Sequence, residues 1–160
     1  PVMVADGEAP PAYTMGGFTP STVPGCRAPH FWLADGRSLY DAFGLGYTLL
    51  RLDAQADVTP LVAAAQARGM PLAVLDAPAR DGVPDAYRHK LVLCRADQHV
   101  VWRGDVLPAD AGALVAVLCG LGEGAGSVAQ QVLHDDAQLG RRHGLVQQGE
   151  AAAADVARSL

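Results

Sequence analysis

Hydrophobic residues in the first half of the chain fall into short runs whose spacing changes from one run to the next. Residues 47–52, Tyr-Thr-Leu-Leu-Arg-Leu, are rich in β-prone types and predict a strand. Between positions 58 and 65 the apolar residues recur at helical spacing, which predicts an amphipathic helix. Residues 71–75 predict a second, buried strand. A strand, a helix of about ten residues and a strand make a βαβ unit, whose strands run parallel with a right-handed crossover.

The ends of this helix carry signals of their own. Thr59 is of a type that caps helix N-termini, and Pro60 would occupy the first helical position, where a missing N–H costs nothing. Gly69 would end the helix, and Pro71 would prevent it from resuming. The sequence therefore predicts a helix that is capped by Thr59 and ends before Gly69.

The second half of the chain predicts two more strands and a second helix. Residues 91–94 and 99–102 are apolar runs on either side of a polar tetrapeptide, which is typical of an antiparallel hairpin. Residues 76–89, which precede this hairpin, contain two prolines and a glycine and predict a loop. A helix is predicted after Asp110, ending at Gly120 or two residues later. Its buried face would consist of four apolar residues: Leu114, Val117, Leu118 and Leu121.

The order β-α-β, loop, β-β-α predicts an α/β fold of thioredoxin-like type, a mixed sheet with helices on both faces. Residues 1–24, rich in proline and glycine, predict an arm or interdomain linker. Asp35-Gly36 between apolar runs predicts a short hairpin. Residues 25–122 would form the thioredoxin-like domain, and residues 123–160 would form a helical tail.

Composition and charge narrow the functions that such a domain can serve. The chain has 160 residues, of which 18% are charged, and a formal net charge of −5. A nucleic-acid surface needs clustered lysine and arginine, and Lys90 is the only lysine, so no nucleic-acid partner is expected. No apolar run approaches the roughly 18 residues that span a bilayer. No signal-peptide pattern opens the chain, which begins at Pro1 as an excised piece of a longer protein would. We expect a cytoplasmic location and no membrane partner.

The three cysteines form neither a dithiol nor a zinc motif. Cys26, Cys94 and Cys119 are far apart, and the last two lie in apolar segments, where we expect them to be small buried hydrophobes. A working thioredoxin or peroxiredoxin needs a low-pKa cysteine at the start of the helix that follows the first strand. Residues 53–60, which form that loop, contain no sulfur. We therefore expect no thioredoxin-type redox site at the start of this helix, and we assign no catalytic residue to the chain.

A cysteine, an arginine and a histidine lie close together before the first strand. Cys26, Arg27 and His30 can be interpreted as a nucleophile and its base, but no neighbouring carboxylate would orient the imidazole. The interpretation that we favour is that Arg27 and His30 anchor the arm or touch an adjoining domain. Trp32 and Trp102 would lie in the core or at an interface, as aromatic residues of small domains do. The candidate interdomain contacts are therefore Arg27, His30 and Trp32.

Two further groups of residues resemble ligand-binding motifs, one for a metal and one for a dinucleotide, but neither fits its motif. His134, Asp135 and Asp136 with His143 resemble a metal set, but neighbouring residues on a helix point about 100° apart. We interpret this group as a solvated polar face and predict no metal site. No G-x-G-x-x-G follows a strand, and the glycines between 120 and 126 follow a helix instead. No dinucleotide-binding site is predicted in this chain.

Two segments of the sequence carry a family resemblance. Residues 25–51, GCRAPHFWLADGRSLYDAFGLGYTLLR, and residues 90–105, KLVLCRADQHVVWRGD, resemble the C-terminal domain of FAD-dependent aromatic-ring monooxygenases. That family includes phenol, hydroxyphenylpropionate and polyketide hydroxylases, and the resemblance covers residues 19–120. It implies a thioredoxin-like appendage of a flavoenzyme, with FAD and NAD(P)H bound by the parent enzyme and no cofactor in this chain.

The resemblance implies a non-catalytic C-terminal domain of a flavin-dependent aromatic hydroxylase, with a structural, interdomain or oligomerisation role. Its partners would be the upstream FAD and substrate domain of the same polypeptide, or further copies of the chain in a homo-oligomer. Two alternatives remain open. One is a divergent stand-alone oxidoreductase of peroxiredoxin or thioredoxin type that uses Cys26 or Cys94. The other is a protein-interaction module that uses the arm at residues 10–24.

Overall fold

The structure is a computed structural model that describes residues 3–12 and 14–121. The predicted tail, residues 123–160, lies outside the described residues, as do the predicted helices and the histidine–aspartate group within it. The strands, helices and one 3₁₀ helix follow in chain order: 3₁₀ helix Tyr40–Ala42, β1 Tyr47–Arg51, α1 Thr59–Ala67, β2 Leu72–Asp76, β3 Leu91–Cys94, β4 Val100–Gly104 and α2 Ala111–Leu118.

The four strands form one mixed sheet in the order β2-β1-β3-β4. Strand β1 runs parallel to β2, with Leu49 opposite Val74, and antiparallel to β3, with Leu49 opposite Leu93. Strands β3 and β4 pair as an antiparallel hairpin. The predicted β-α-β, β-β-α order and the mixed sheet are thus confirmed. Strand β2 lies at the edge and is largely half-exposed, so the prediction that it is buried is wrong.

Both helices pack on the same face of the sheet. Helices α1 and α2 contact each other, and Leu61 and Leu114 belong to one core cluster with Leu49 and Leu93. The prediction of helices on both faces is therefore wrong. The physical reason lies in β1, where the consecutive residues Leu49 and Leu50 are fully buried on opposite faces of the sheet. Each face must therefore be covered by apolar side chains, but the pattern of β1 does not determine whether a helix or a loop supplies them.

Irregular segments cover the second face of the sheet. A second core cluster joins Leu50 and Val92 of the strands to Phe31, Leu33 and other residues of the loops. The predicted hairpin around Asp35-Gly36 is present within this cover. The Leu33 N–H donates to the Arg37 carbonyl at 3.0 Å, and Trp32 bridges Ser38. The chain thus encloses a two-sided core of its own.

The helix ends differ from the prediction in one detail. Thr59 is the first residue of α1 and does not cap it; instead the Thr59 N–H donates to the Asp57 carboxylate at 2.9 Å. Helix α2 is capped by Asp110, which accepts a hydrogen bond from the Ala113 N–H at 2.8 Å. Gly69 and Gly120 end the two helices with φ values of 65° and 75°, where glycine has no steric penalty.

Helix α2 ends at Leu118, which is earlier than the apolar pattern indicates. Leu121 is 72% exposed, and Cys119 is exposed as well. The predictions that both residues are buried are wrong, because the buried face does not continue past the last helical residue. Cys94, in contrast, is fully buried as predicted.

The first residues of the predicted arm pack against strand β4. Val4 is buried, and its N–H donates to the Val101 carbonyl at 2.8 Å. The guanidinium of Arg103, whose side chain is 1% exposed, lies 2.6 Å from Asp6 Oδ2 and 2.5 Å from Glu8 Oε2. Two carboxylates of the arm thus hold a buried cation of the sheet. The division into arm, domain and tail at residues 24 and 122 stays a prediction.

Within the described ranges, every helix is too short for a membrane crossing. The same residues contain no group of three or more histidine, cysteine, aspartate or glutamate side chains arranged to hold a metal ion.

Candidate interdomain surface

The three predicted contact residues lie in one exposed row on the outside of the loop cover. The Arg27 guanidinium carbon lies 4.6 Å from the Tyr40 ring centroid. The His30 ring is 5.1 Å from the Tyr40 ring and 5.1 Å from the Trp32 ring, with edge-to-face geometry in both pairs. The Arg80 guanidinium carbon lies 5.8 Å from the Trp32 centroid. We call these five side chains the aromatic–arginine row.

The row faces outward because the underlying chain alternates between the core and the solvent. Phe31 and Leu33 are buried in the second core cluster, whereas His30 and Trp32 between them are exposed. Trp32 is 46% exposed, which is a large fraction for an indole. The alternation follows from the extended backbone, in which successive side chains point to opposite sides.

Hydrogen bonds fix the aromatic members of the row. The Tyr40 hydroxyl donates to the Ala28 carbonyl at 2.6 Å, and His30 Nε2 lies 2.9 Å from Ser38 Oγ. The Arg80 N–H donates to the Trp32 carbonyl at 2.9 Å. The row is therefore held by its own segment and by the loop after β2.

Arg27 is held by an amide and not by an acid. Its Nε and Nη2 donate to the Gln98 side-chain oxygen at 2.8 Å and 2.5 Å. Of the arginines in the described part of the chain, only Arg27 and Arg68 have no carboxylate within 4.0 Å. Arg27 therefore presents a fixed, charged guanidinium to the solvent without an anionic partner among these residues.

The contacts of Arg27 and His30 agree with the anchoring interpretation, which stays a prediction. The His30 imidazole packs against two aromatic rings and bonds Ser38, and Arg27 bonds Gln98. Cys26 is half-buried, and its backbone carbonyl accepts the Val100 N–H at 2.9 Å, which places residue 26 along the edge of β4.

A groove of about 490 Å³ lies at the start of α1, where a thioredoxin would carry its thiol. Asp53, Asp57, Lys90 and Asp105 are the charged residues of its lining. Asp53 accepts the Gln55 N–H at 2.9 Å and lies 3.1 Å from Lys90 Nζ, and these two contacts lower the pKa of its carboxyl. Ionised carboxylates here would raise the pKa of a nearby thiol and oppose a thiolate.

The thiol chemistry required by the oxidoreductase alternative finds little support at Cys94. This side chain is fully buried in β3, and burial raises the pKa of its thiol well above the ordinary value. A thiol with a raised pKa is a poor nucleophile at neutral pH, because the thiolate is the reactive form.

Comparison with known proteins gives the family. The family model for the C-terminal region of aromatic-ring hydroxylases matches residues 21–121. This chain belongs to that family. An FAD-dependent monooxygenase, apdD of Emericella nidulans, is 35% identical over 101 residues, which are 61% of this chain and 16% of that protein. A phenol 2-monooxygenase of a Pseudomonas species is 31% identical in an alignment of 126 residues that covers 68% of this chain and 21% of that protein.

Solved structures of flavin enzymes share the fold. The native and K252c-bound structure of RebC-10x superposes with a TM-score of 0.61 at 36% identity and covers 74% of this chain and 22% of that chain. The ternary complex of aklavinone-11 hydroxylase with FAD and aklavinone gives a TM-score of 0.54 at 29% identity, covering 83% of this chain and 25% of that one. This chain therefore spans about a fifth of the length of the curated relatives and a quarter or less of these solved chains.

Sequence reasoning found three members of the row and missed two. Tyr40 follows the predicted hairpin in the chain, and its position under the Arg27 guanidinium depends on the 3₁₀ helix that begins at this residue. Arg80 lies in the loop after β2, and only the folded chain brings it beside Trp32. The buried ion pairs of Arg103 could have been predicted from the sequence, since an arginine inside an apolar strand requires an anionic partner.

Proposed function

We propose that this chain is the C-terminal domain of an FAD-dependent aromatic hydroxylase, in which it has a structural and interdomain role and no catalytic residue. The observation that carries the proposal is the family match over residues 21–121, in a chain that spans only a fraction of each longer flavoenzyme relative. In this proposal the parent enzyme uses FAD and NAD(P)H, and its upstream part binds the flavin and the aromatic substrate.

The site geometry supports the absence of chemistry in this domain. The groove at the start of α1 is lined by carboxylates that are bonded to neighbouring groups, and the thiol of Cys94 is buried. The sequence also lacks the glycine fingerprint that would hold a dinucleotide. The exposed aromatic–arginine row contains tryptophan, tyrosine and arginine, the residue types that contribute most to protein interfaces, and this composition supports a contact with another domain.

The experiment compares two purified proteins, the 160-residue chain and the full-length polypeptide that carries it. Flavin is measured by absorbance after protein denaturation, and NAD(P)H oxidation is followed with phenolic substrates. We expect flavin and substrate-dependent oxidation in the full-length protein, and a colourless 160-residue chain without either property. Stoichiometric FAD binding by the 160-residue chain would overturn the proposal, and so would a full-length protein that binds no flavin.

A peroxide-consumption assay on the same two proteins tests the oxidoreductase alternative. Peroxide consumption by the 160-residue chain that disappears in Cys26→Ser would establish it, with Cys119→Ser as the matched control at an exposed thiol. We expect neither protein to consume peroxide above the rate of free cysteine.

A further inference from the structure

The aromatic–arginine row has the composition of an interface hot spot. Tryptophan, tyrosine and arginine dominate the residues whose truncation weakens protein–protein binding most. Single exposed apolar residues are common on any surface, but Trp32 is fixed between Arg80 and His30 in a packed row. A preformed row of this kind loses little side-chain entropy when a partner covers it.

The charge of the row selects an acidic partner. Arg27 and Arg80 contribute two positive charges, and among the described residues Asp81 is the one acid bonded to the row, at 3.0 Å from Arg80 Nε. Arg27 has five N–H donors, and two of its nitrogens are held by Gln98. The Tyr40 ring, 4.6 Å from the guanidinium carbon, restricts the orientation of the remaining N–H donors. A carboxylate is the acceptor whose geometry matches a fixed guanidinium.

We propose that the row is the docking site for a carboxylate-bearing face of the upstream part of the same polypeptide, with an acid on Arg27 and an apolar depression around Trp32. This inference rests on the proposed function. The family region is the C-terminal part of longer flavoenzymes, so a covalently attached neighbour is present at high effective concentration. A weak, partly polar contact is therefore sufficient to hold the two parts together.

Oxidative footprinting with hydroxyl radicals, read by mass spectrometry, measures this docking directly. The rate of Trp32 oxidation is compared between the full-length polypeptide and the 160-residue chain, whose two-sided core allows it to be studied alone. We expect slow oxidation of Trp32 in the full-length protein and fast oxidation in the short chain, where the indole is 46% exposed. Equal rates in the two proteins would overturn the proposal.

Substitutions test the chemistry of the contact. In the full-length protein, Arg27→Gln removes the charge and is expected to lower the protection of Trp32 about tenfold, the effect of losing one hot-spot interaction. The matched control is Arg37→Gln, because Arg37 lies outside the row, in the hairpin that contains Trp32, and its side chain forms an ion pair with Asp35 at 2.7 Å. Thermal unfolding of both variants in the 160-residue chain shows whether the domain itself stays folded. Equal effects of the two substitutions on Trp32 protection would contradict the proposal.

Two further readouts separate the possible failures. Sedimentation of the 160-residue chain tests a second copy as the occupant, and protection of Trp32 that appears with self-association and vanishes on dilution would overturn docking to the upstream part. Flavin content is measured in the same full-length samples. A flavin-loaded protein with an exposed Trp32 refutes the docking site alone, whereas a flavin-free full-length protein refutes the proposed function.

Discussion

Thr22 lies at the centre of a buried polar network, and its hydroxyl is the most direct point at which to perturb it. The residue is fully buried. Its hydroxyl donates to the Ala86 carbonyl at 2.8 Å and accepts a hydrogen bond from Arg103 Nη1 at 3.1 Å. The other two guanidinium nitrogens, Nε and Nη2, donate to Asp6 and Glu8 of the arm. Thr22 thus connects the sheet, the arm and the loop before β3.

Thr22→Val removes both hydrogen bonds and leaves the shape of the side chain almost unchanged. No cavity forms, so the loss of stability reports the polar contacts alone. A buried polar group that loses its partner costs about 1–3 kcal/mol, and Arg103 is charged, with its side chain 1% exposed. Its two carboxylate contacts remain in the variant. We expect the free energy of unfolding to fall by about 1.5–3 kcal/mol.

Urea unfolding followed by far-UV circular dichroism measures this change in the 160-residue chain. The matched control is Thr14→Val, because the Thr14 hydroxyl bonds the Gly17 carbonyl at 3.2 Å in an exposed turn. The control is expected to unfold at the same urea concentration as the parent chain. A Thr22→Val midpoint that is equal to the control would show that water replaces the lost bonds, and the reasoning about the buried network would be refuted.

Three further outcomes are expected from the same chain. A hydrogen bond from Arg95 lowers the pKa of Asp97 to about 2, so the ionised carboxylate stabilises the fold above pH about 4 and this contribution is lost as the pH falls towards 2. NMR titration of Asp97 should show this pKa and its return towards about 3.9 in Arg95→Gln; an unchanged pKa would exclude the pair as its cause. Iodoacetamide is expected to alkylate the exposed Cys119 in the folded protein and to reach the buried Cys94 only in urea, as mass spectrometry would show; equal rates would contradict the burial of Cys94. Leu114→Ala removes a fully buried side chain of α2 and should lower the free energy of unfolding by about 2–5 kcal/mol, and a smaller loss would show that the core collapses around the site.

The order and pairing of the strands could be predicted because each depends on local pattern and on the chirality of the chain. A βαβ unit at residues 47–76 can be built in essentially one way, and an antiparallel pair after it needs only a short turn. The helix ends were predicted to within a residue or two from glycine and proline. The prediction that Thr59 caps α1 was wrong because Asp57, two residues earlier, also has a side chain that can accept a hydrogen bond from the first backbone N–H groups of a helix. The sequence alone does not indicate which of the two side chains is the acceptor.

The position of the helices could not be predicted from the same pattern. Leu49 and Leu50 require that both faces of the sheet be covered, and a helix meets that requirement no better than a loop with enough apolar residues. Residues 28–43 contain those apolar residues, at Phe31, Leu33 and Leu39. Their role depends on contacts with strands that are distant in sequence, which period and propensity do not describe.

The candidate docking site follows from this choice of cover. A helix over the second face would bury one stripe and expose a polar one, as amphipathic helices do. An extended segment exposes every second residue instead, so burying Phe31 and Leu33 forces His30 and Trp32 outward. An indole in that position adds apolar surface to the outside of the domain, and the neighbouring Arg80 and Tyr40 hold the exposed aromatic groups in place. The residues that close the core and the residues offered to a partner are thus alternate members of one short stretch of chain. A substitution that converts Trp32 to a polar residue should consequently leave the core intact and alter only the outer surface.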